Sequence, residues 1–285
     1  MTIAEILAKA EQLCRDKNKE EHPARMLLMD RLNLESYELF AAMDETPKEE
    51  IITEYFQTLS CYLEQNEPIQ YILGYEYFAG RNLFVDAGAL IPRPETEELV
   101  YEILFLIDQE FPETDYPQIA CADVGTGSGA IAVSLAAEEP RVDMVATDIS
   151  EDALIVAKKN ASAFASKIQF FVGDMLQPLI ENDITLDILV SNPPYIPQAE
   201  IVQDIVSENE PHIALFGGSD GLYFYRILLE NAHTVINKDH FLLAFEIGFD
   251  QAERLIALAQ TNFPTARVWV KQDLQGKDRM LFVLK

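Results

Sequence analysis

The sequence predicts an α/β protein: a mostly parallel sheet with helices on both faces, preceded by a small all-helical domain and a β-hairpin connector. Three observations carry this. Apolar residues recur at helical spacing, with no strand alternation, through roughly the first 70 residues. From residue 117 onward strand-like and helix-like segments alternate, a pattern that builds parallel sheets covered on both faces. Between the two regions, aromatic and β-branched residues flank Ala79-Gly80-Arg81, which suggests a hairpin.

The elements follow in order. Ile3, Ile6, Leu7 and Leu13 mark a first helix; Met26 to Leu28 follow Pro23, and Ile51 to Leu59 follow Pro47. Four or five helices are expected, ending near residue 73. Gln70 to Phe78 and Asn82 to Val85 read as the hairpin strands, placing a connector over 74–90. The large domain then spans 91–285. Pro94 suits a first helical position, and Glu95, Glu97 and Glu98 suit the positive end of that helix's dipole. Strands are expected at Ile119–Val124, Val142–Thr147, Ile168–Val172, Leu186–Ser191 and Phe241–Glu246, with closing strands at Arg267–Val270 and Met280–Leu284. Helices are expected at Ala130–Glu138, Ala153–Phe164, Leu222–Val235 and Gln251–Gln260. Ligands bind such sheets beyond the carboxyl ends of the strands, where Asp148, Asp174 and Asn192 fall.

A net charge of −27, from 48 acidic and 21 basic residues, repels phosphate backbones and anionic membranes. Direct nucleic-acid binding is therefore not expected, and a basic or neutral protein partner suits the charge better. Cys14, Cys61 and Cys121 form no CxxC pair, so neither a disulfide framework nor a metal site is expected. No signal-like apolar block or membrane span is apparent, and a reducing cytoplasm fits.

Two motifs carry chemistry. Asp123-Val124-Gly125-Thr126-Gly127-Ser128-Gly129 lies between the first strand of the large domain and its helix. Glycines there let a ligand approach the backbone, and the helix start offers free N–H groups to an anion. Asp148, ending the next strand, suits ribose hydroxyls. The loop indicates a nucleoside cofactor without saying which. Asn192-Pro193-Pro194-Tyr195 ends the fourth strand. The prolines fix the chain's direction, so the carbonyls of Asn192 and Pro193 and the Asn192 Oδ1 can serve as acceptors. Tyr195 adds an aromatic face. That cluster suits a planar –NH2 group: accepting both protons aims the nitrogen lone pair at a methyl sulfonium and stabilises the charge that grows on nitrogen.

These motifs, with Gln70 to Gly74, Leu90 to Glu98, Ala214 to Gly218, Asp220 to Leu222 and Gly276 to Arg279, resemble the release factor glutamine methyltransferases, the HemK/PrmC family of protein-(glutamine-N5) methyltransferases. The likeness covers most of the chain. It implies a class I methyltransferase domain behind the helical domain. It implies S-adenosylmethionine as cofactor and, as substrate, the glutamine of the Gly-Gly-Gln loop of peptide chain release factors. On the family pattern, Gly125, Thr126, Gly127, Ser128, Gly129, Asp148, Asp174, Met175 and Asn192 bind the cofactor, Met175 standing where some relatives have an aromatic. Asn192, Pro193, Pro194 and Tyr195 bind the substrate amide, with Asn192, Pro193 and Tyr195 as the catalytic set. Arg93 to Glu97 would lie near the methionine end, although dipole capping explains Glu95 and Glu97 equally well. The helical domain is expected to help recognise the folded factor.

Other readings fit less of the chain. A sister branch methylating a ribosomal protein shares Asn-Pro-Pro-Tyr but typically lacks Pro94 to Glu97. DNA adenine methyltransferases use the same tetrapeptide but need basic surface. A nicotinamide oxidoreductase has no use for the tetrapeptide. A non-enzymatic release factor binder would not need intact Gly125, Gly127, Asp148 and Asn192. The histidines 22, 212, 233 and 240 are scattered and suit surface or structural roles.

Overall fold

The computed structural model describes residues 1–285, which divide into two compact units. The smaller contains Met1–Tyr75 together with Val202–Asn209; the larger contains Glu76–Ile201 and Glu210–Lys285.

The smaller unit holds α1 (Ile3–Asp16), α2 (His22–Leu32), α3 (Ser36–Ala41), α4 (Glu49–Gln65) and α5 (Ile69–Leu73). A capping box starts α1: Glu5 N–H donates to the Thr2 side chain and Thr2 N–H to the Glu5 carboxylate. Ile6, Leu27 and Leu59 form a dry core beside Tyr55, whose hydroxyl donates to the Ala24 carbonyl at 3.0 Å. The aromatic and β-branched content of Gln70–Leu73 predicts a hairpin strand; the structure makes it helical. Pro68 opens this turn, and Gly74 closes it in the left-handed region at φ 79°. These caps override the β-branched and aromatic content.

The hairpin β1 (Tyr75–Phe78) and β2 (Arg81–Phe84) follows, and from Glu76 on it belongs to the larger unit. Its two-residue turn, Ala79-Gly80, has both φ values positive, at 45° and 81°, the pattern of hairpin turns whose twist matches the strands. Next come α6 (Pro94–Glu110), β3 (Ile119–Val124), α7 (Ala130–Glu138), β4 (Val142–Asp148), α8 (Glu151–Ala163), β5 (Ile168–Val172), α9 (Gln177–Glu181) and β6 (Ile188–Ser191). The chain then supplies α10 (Asp204–Asn209) to the helical unit and returns with α11 (Tyr223–Asn231), β7 (Leu242–Glu246), α12 (Ala252–Asn262), β8 (Arg267–Gln272) and β9 (Asp278–Leu284). Two elements had no counterpart in the sequence reading: α9 and α10. The latter is only six residues long, and Ile205 lies against the helical core while Asn66 donates to Glu208 at 2.7 Å.

Seven strands form one sheet in the order β5-β4-β3-β6-β7-β9-β8. All pairings are parallel up to β7; β9 runs antiparallel between β7 and β8. The central strands are buried along their length, as a sheet covered on both faces requires. The order reverses between β3 and β6, and a crevice opens at such a switch point beyond the strand ends. The glycine loop leaves β3 and the Asn192 loop leaves β6, so both candidate motifs open into one crevice.

The hairpin expected to connect domains belongs to the larger unit and is anchored there. Phe84 N–H donates to Asn160 of α8 at 2.7 Å, and Asn160 Nδ2 donates back to the Phe84 carbonyl at 2.9 Å and to the Ser128 carbonyl at 2.9 Å. One buried asparagine thus ties hairpin, helix and glycine loop together.

Candidate active site

A cavity of about 300 Å³ lies at the switch point, within the range of small-molecule sites. Gly125, Thr126, Gly127, Ser128, Asp148, Asp174, Met175, Asn192 and Pro194 all line it. So do residues with no role in the sequence reading, among them Ile149, Ile213, Tyr223 and Phe224. Gly129, Pro193 and Tyr195 are not among the lining residues. Gly129 instead starts α7 with φ 80°, and a Cβ there would press on Ala157 at 3.1 Å, so it serves helix packing.

The glycine loop is a cradle of backbone. Gly125 and Gly127 have φ of 72° and 55°, and a Cβ on either would meet nothing within 4 Å. This open space lies at the start of α7, where a helix N-terminus suits an anion, and would take the methionine end of S-adenosylmethionine. Asp148 stands at the end of β4. Gly127 N–H donates to its Oδ2 at 2.8 Å and Ser150 N–H to its Oδ1 at 2.9 Å. Burial holds this carboxyl above the usual carboxylate range, although those two donors pull it down. Each oxygen keeps a lone pair for a ribose hydroxyl. The residues therefore fit the cofactor that the fold implies.

Below the cradle, Asp123 is fully buried. Its Oδ2 accepts from the Thr126 hydroxyl at 2.6 Å and Ala132 N–H at 3.2 Å, while Oδ1 has no partner. Burial pushes its pKa up to about 7.

The Asn192–Tyr195 loop is clamped. Ser191, ending β6, donates its hydroxyl to the Val124 carbonyl at 2.6 Å and so joins the two strand ends. Gln251 Nε2 donates to the Tyr195 carbonyl at 2.9 Å, and Gln251 Oε1 accepts from Gly248 N–H at 3.0 Å. The loop 217–221 lies so close that a Cβ on Gly217 would come within 2.4 Å of the Pro194 carbonyl oxygen, and one on Gly221 within 2.2 Å of that of Tyr195. No backbone donor takes the carbonyls of Asn192 or Pro193.

The side chains of the tetrapeptide are held by a buried acid outside it. Asn192 Nδ2 donates to the Thr96 hydroxyl oxygen at 3.1 Å. The Thr96 hydroxyl donates to Glu246 Oε2 at 2.5 Å, and the Tyr195 hydroxyl to Glu246 Oε1 at 3.3 Å. Tyr195 packs against the apolar cluster that includes Leu222, Tyr225 and Phe245. Burial raises the Glu246 pKa, and burial with the Glu246 charge raises that of the Tyr195 phenol. The sequence reading named neither Thr96 nor Glu246 for this role. The signal was present, since a glutamate ends the otherwise apolar run Phe241–Phe245 at the binding edge of the sheet. Glu210 is a second such acid: it accepts from Arg93 at 2.5 Å and from Ile91 N–H at 3.1 Å, fixing a segment that also lines the cavity.

Comparison with known proteins bears on this geometry directly. Residues 5–74 match the family model described as PrmC N-terminal domain, and residues 105–217 the one described as Methyltransferase small domain. The chain is 39% identical over 284 residues to the release factor glutamine methyltransferase of Bacillus cereus, covering 99% of each chain. It is likewise 39% identical over 285 residues to that of Bacillus subtilis, covering 99% of this chain and 98% of the other. Among solved structures, a methyltransferase from Pyrococcus furiosus aligns with a TM-score of 0.51 at 17% identity, over 72% of this chain and 89% of that one, a likeness of fold. The fold is that of class I S-adenosylmethionine-dependent methyltransferases, and with sequence identity of this depth along its whole length the chain belongs to the release factor glutamine methyltransferase family.

Proposed function

We propose that the protein transfers the methyl group of S-adenosylmethionine to the side-chain amide nitrogen of the glutamine in the Gly-Gly-Gln motif of peptide chain release factors. The observation that carries this is the orientation of Asn192. Its nitrogen is committed to Thr96, which leaves Oδ1 as the free end of a side chain that lines the cavity. An amide nitrogen is a poor nucleophile because its lone pair is delocalised into the carbonyl. Oδ1 of Asn192 and the unengaged carbonyl of Pro193 accept the two N–H protons, hold the amide plane and stabilise positive charge developing on nitrogen. The clamp from Gln251 and Gly221 keeps these acceptors from relaxing away. Bound S-adenosylmethionine supplies an electrophilic methyl group on a sulfonium sulfur.

Asp148 and the Gly125–Gly129 loop are assigned to cofactor binding, with Asp174 and Met175 on the adenine side. The helical unit, which carries none of this chemistry, is assigned to recognition of the folded factor. The reading places the reaction in the cytoplasm, in keeping with three free cysteines.

The test is to incubate the protein with labelled cofactor and, separately, an intact release factor, large-subunit ribosomal proteins and duplex DNA, then to locate the methyl group by mass spectrometry. One methyl on the Gly-Gly-Gln glutamine is expected. Methylation confined to a ribosomal glutamine or to adenine would overturn the assignment.

A further inference from the structure

We infer that Glu246 is a positioning residue for methyl transfer, acting through Thr96 on the Asn192 amide and through the Tyr195 hydroxyl on the aromatic ring of the tetrapeptide. This rests on Asn192 being the acceptor for the substrate amide.

A carboxylate at the end of a strand in the dry interior is costly unless it is paired, and an apolar residue would fill the place without that cost. Glu246 is 1% exposed, yet both oxygens are used: one by Thr96 from α6, one by Tyr195 from the loop after β6. Tyr225 fixes its backbone by donating to the Glu246 carbonyl at 2.6 Å. Arg279, held by Asp273 at 3.2 Å, offsets part of the burial cost.

The direction of the chain of donors follows from its end. Both Glu246 oxygens accept, one from each hydroxyl, so Thr96 donates to it. The Thr96 oxygen then has a lone pair but no proton for Asn192, so only Nδ2 of Asn192 can face it. Oδ1 is thereby turned away from Thr96. Remove the carboxylate, and the Thr96 proton is free to bond Oδ1; the Asn192 amide can then turn over and present a donor where the substrate needs an acceptor. Hydrogen bonds in series also polarise one another, so the same chain leaves Oδ1 more negative.

Single-turnover methyl transfer, with cofactor and intact release factor saturating, tests this alongside cofactor affinity and Tm. Asn192→Ala must itself be slow; a wild-type rate there removes the reading of Asn192, not merely the role of Glu246. Given that loss, Thr96→Val should be slower by roughly tenfold in the wild-type background, the scale of one lost hydrogen bond with its partner left unsatisfied. Saturating cofactor separates this loss of rate from any change in cofactor affinity, since Thr96 also lines the cavity. Thr96→Ser, which keeps the hydroxyl, should recover most of the rate. In the Asn192→Ala background Thr96→Val should cost nothing further, because the group it orients is gone. Glu246→Gln, which has one acceptor where Glu246 has two, should slow the wild type by at least about threefold. A full additional loss from Thr96→Val on top of Asn192→Ala would overturn the inference, as would wild-type rates for Thr96→Val or Glu246→Gln. The threonine variants carry the test even if the glutamine variant fails to fold.

Discussion

A Cβ placed on Gly125 or Gly127 would meet no atom within 4 Å, whereas one placed on Gly221 would come within 2.2 Å of the Tyr195 carbonyl oxygen. The two glycine segments serve loops on neighbouring strands, β3 and β6, and they differ in what the missing side chain leaves room for. At the edge proposed for the cofactor the space is open, and it is bordered by the glycine backbone and by Asp148. At the edge proposed for the amide the space is filled by the protein's own backbone: Gln251 holds the Tyr195 carbonyl, and Glu246 holds the Thr96 and Tyr195 hydroxyls. On the proposed reading, a cofactor common to many reactions would meet generic backbone, whereas the reacting amide would meet acceptors whose orientation is enforced from outside the motif that displays them.

Substitutions sharpen this contrast. Gly221→Ala adds a clash with backbone to a φ of 73°, and should cost folding stability about 2–4 kcal/mol in urea denaturation; an unchanged midpoint would mean that the clamp is soft. Asp148→Ala should weaken cofactor binding by about 1.5–3 kcal/mol for each bond lost, read by calorimetry, and should leave the amide side intact. Unchanged affinity would take Asp148 out of the site. Gly127→Ala should cost folding only about 1–2 kcal/mol for its positive φ, yet its methyl group enters the ligand's space. Cofactor affinity should therefore fall by roughly ten- to a hundredfold. Equal effects of Gly127→Ala and Gly221→Ala on folding and binding would erase the distinction between the two edges.

The smallest effect concerns Asp123. Its pKa in the folded protein is about 7, well above an exposed aspartate near 3.8. Between those values the native state holds a proton that the unfolded chain has lost, so this group's contribution to stability falls as pH rises from about 4 to about 7. Asp123→Asn keeps one accepting oxygen for Thr126 and Ala132 and removes the titration. Stability should then depend less steeply on pH across that window, as a Tm series on both proteins would show. Parallel curves would place the Asp123 proton elsewhere.

What was legible in the sequence was whatever is contiguous. The glycine loop and the Asn192–Tyr195 loop are short motifs at strand ends, and strand–helix alternation put both at one edge of the sheet. The Gly217–Gly221 segment was visible only as part of a family likeness; its reason, close approach to the Pro194 and Tyr195 carbonyls, is a tertiary fact. The triad Thr96, Asn192 and Glu246 is scattered over three elements, and no spacing rule joins it. The helix α10 was missed because six residues with few apolar positions give no periodicity, and it gains its place from the helical unit. At Gln70–Leu73, residue content pointed to a strand while the flanking Pro68 and Gly74 pointed to a helical turn, and the caps decided.

The central claim is that Asn192 holds the substrate amide during transfer. The most direct measurement is the single-turnover rate of methyl transfer to an intact release factor by Asn192→Ala, with both ligands saturating. By the scale of deleting one preorganised charge-stabilising group, the rate should fall by roughly 10²–10³-fold, and Asn192→Asp, which keeps an acceptor, should retain more activity than the alanine variant. A wild-type rate for Asn192→Ala would contradict the account and leave the tetrapeptide as scaffold.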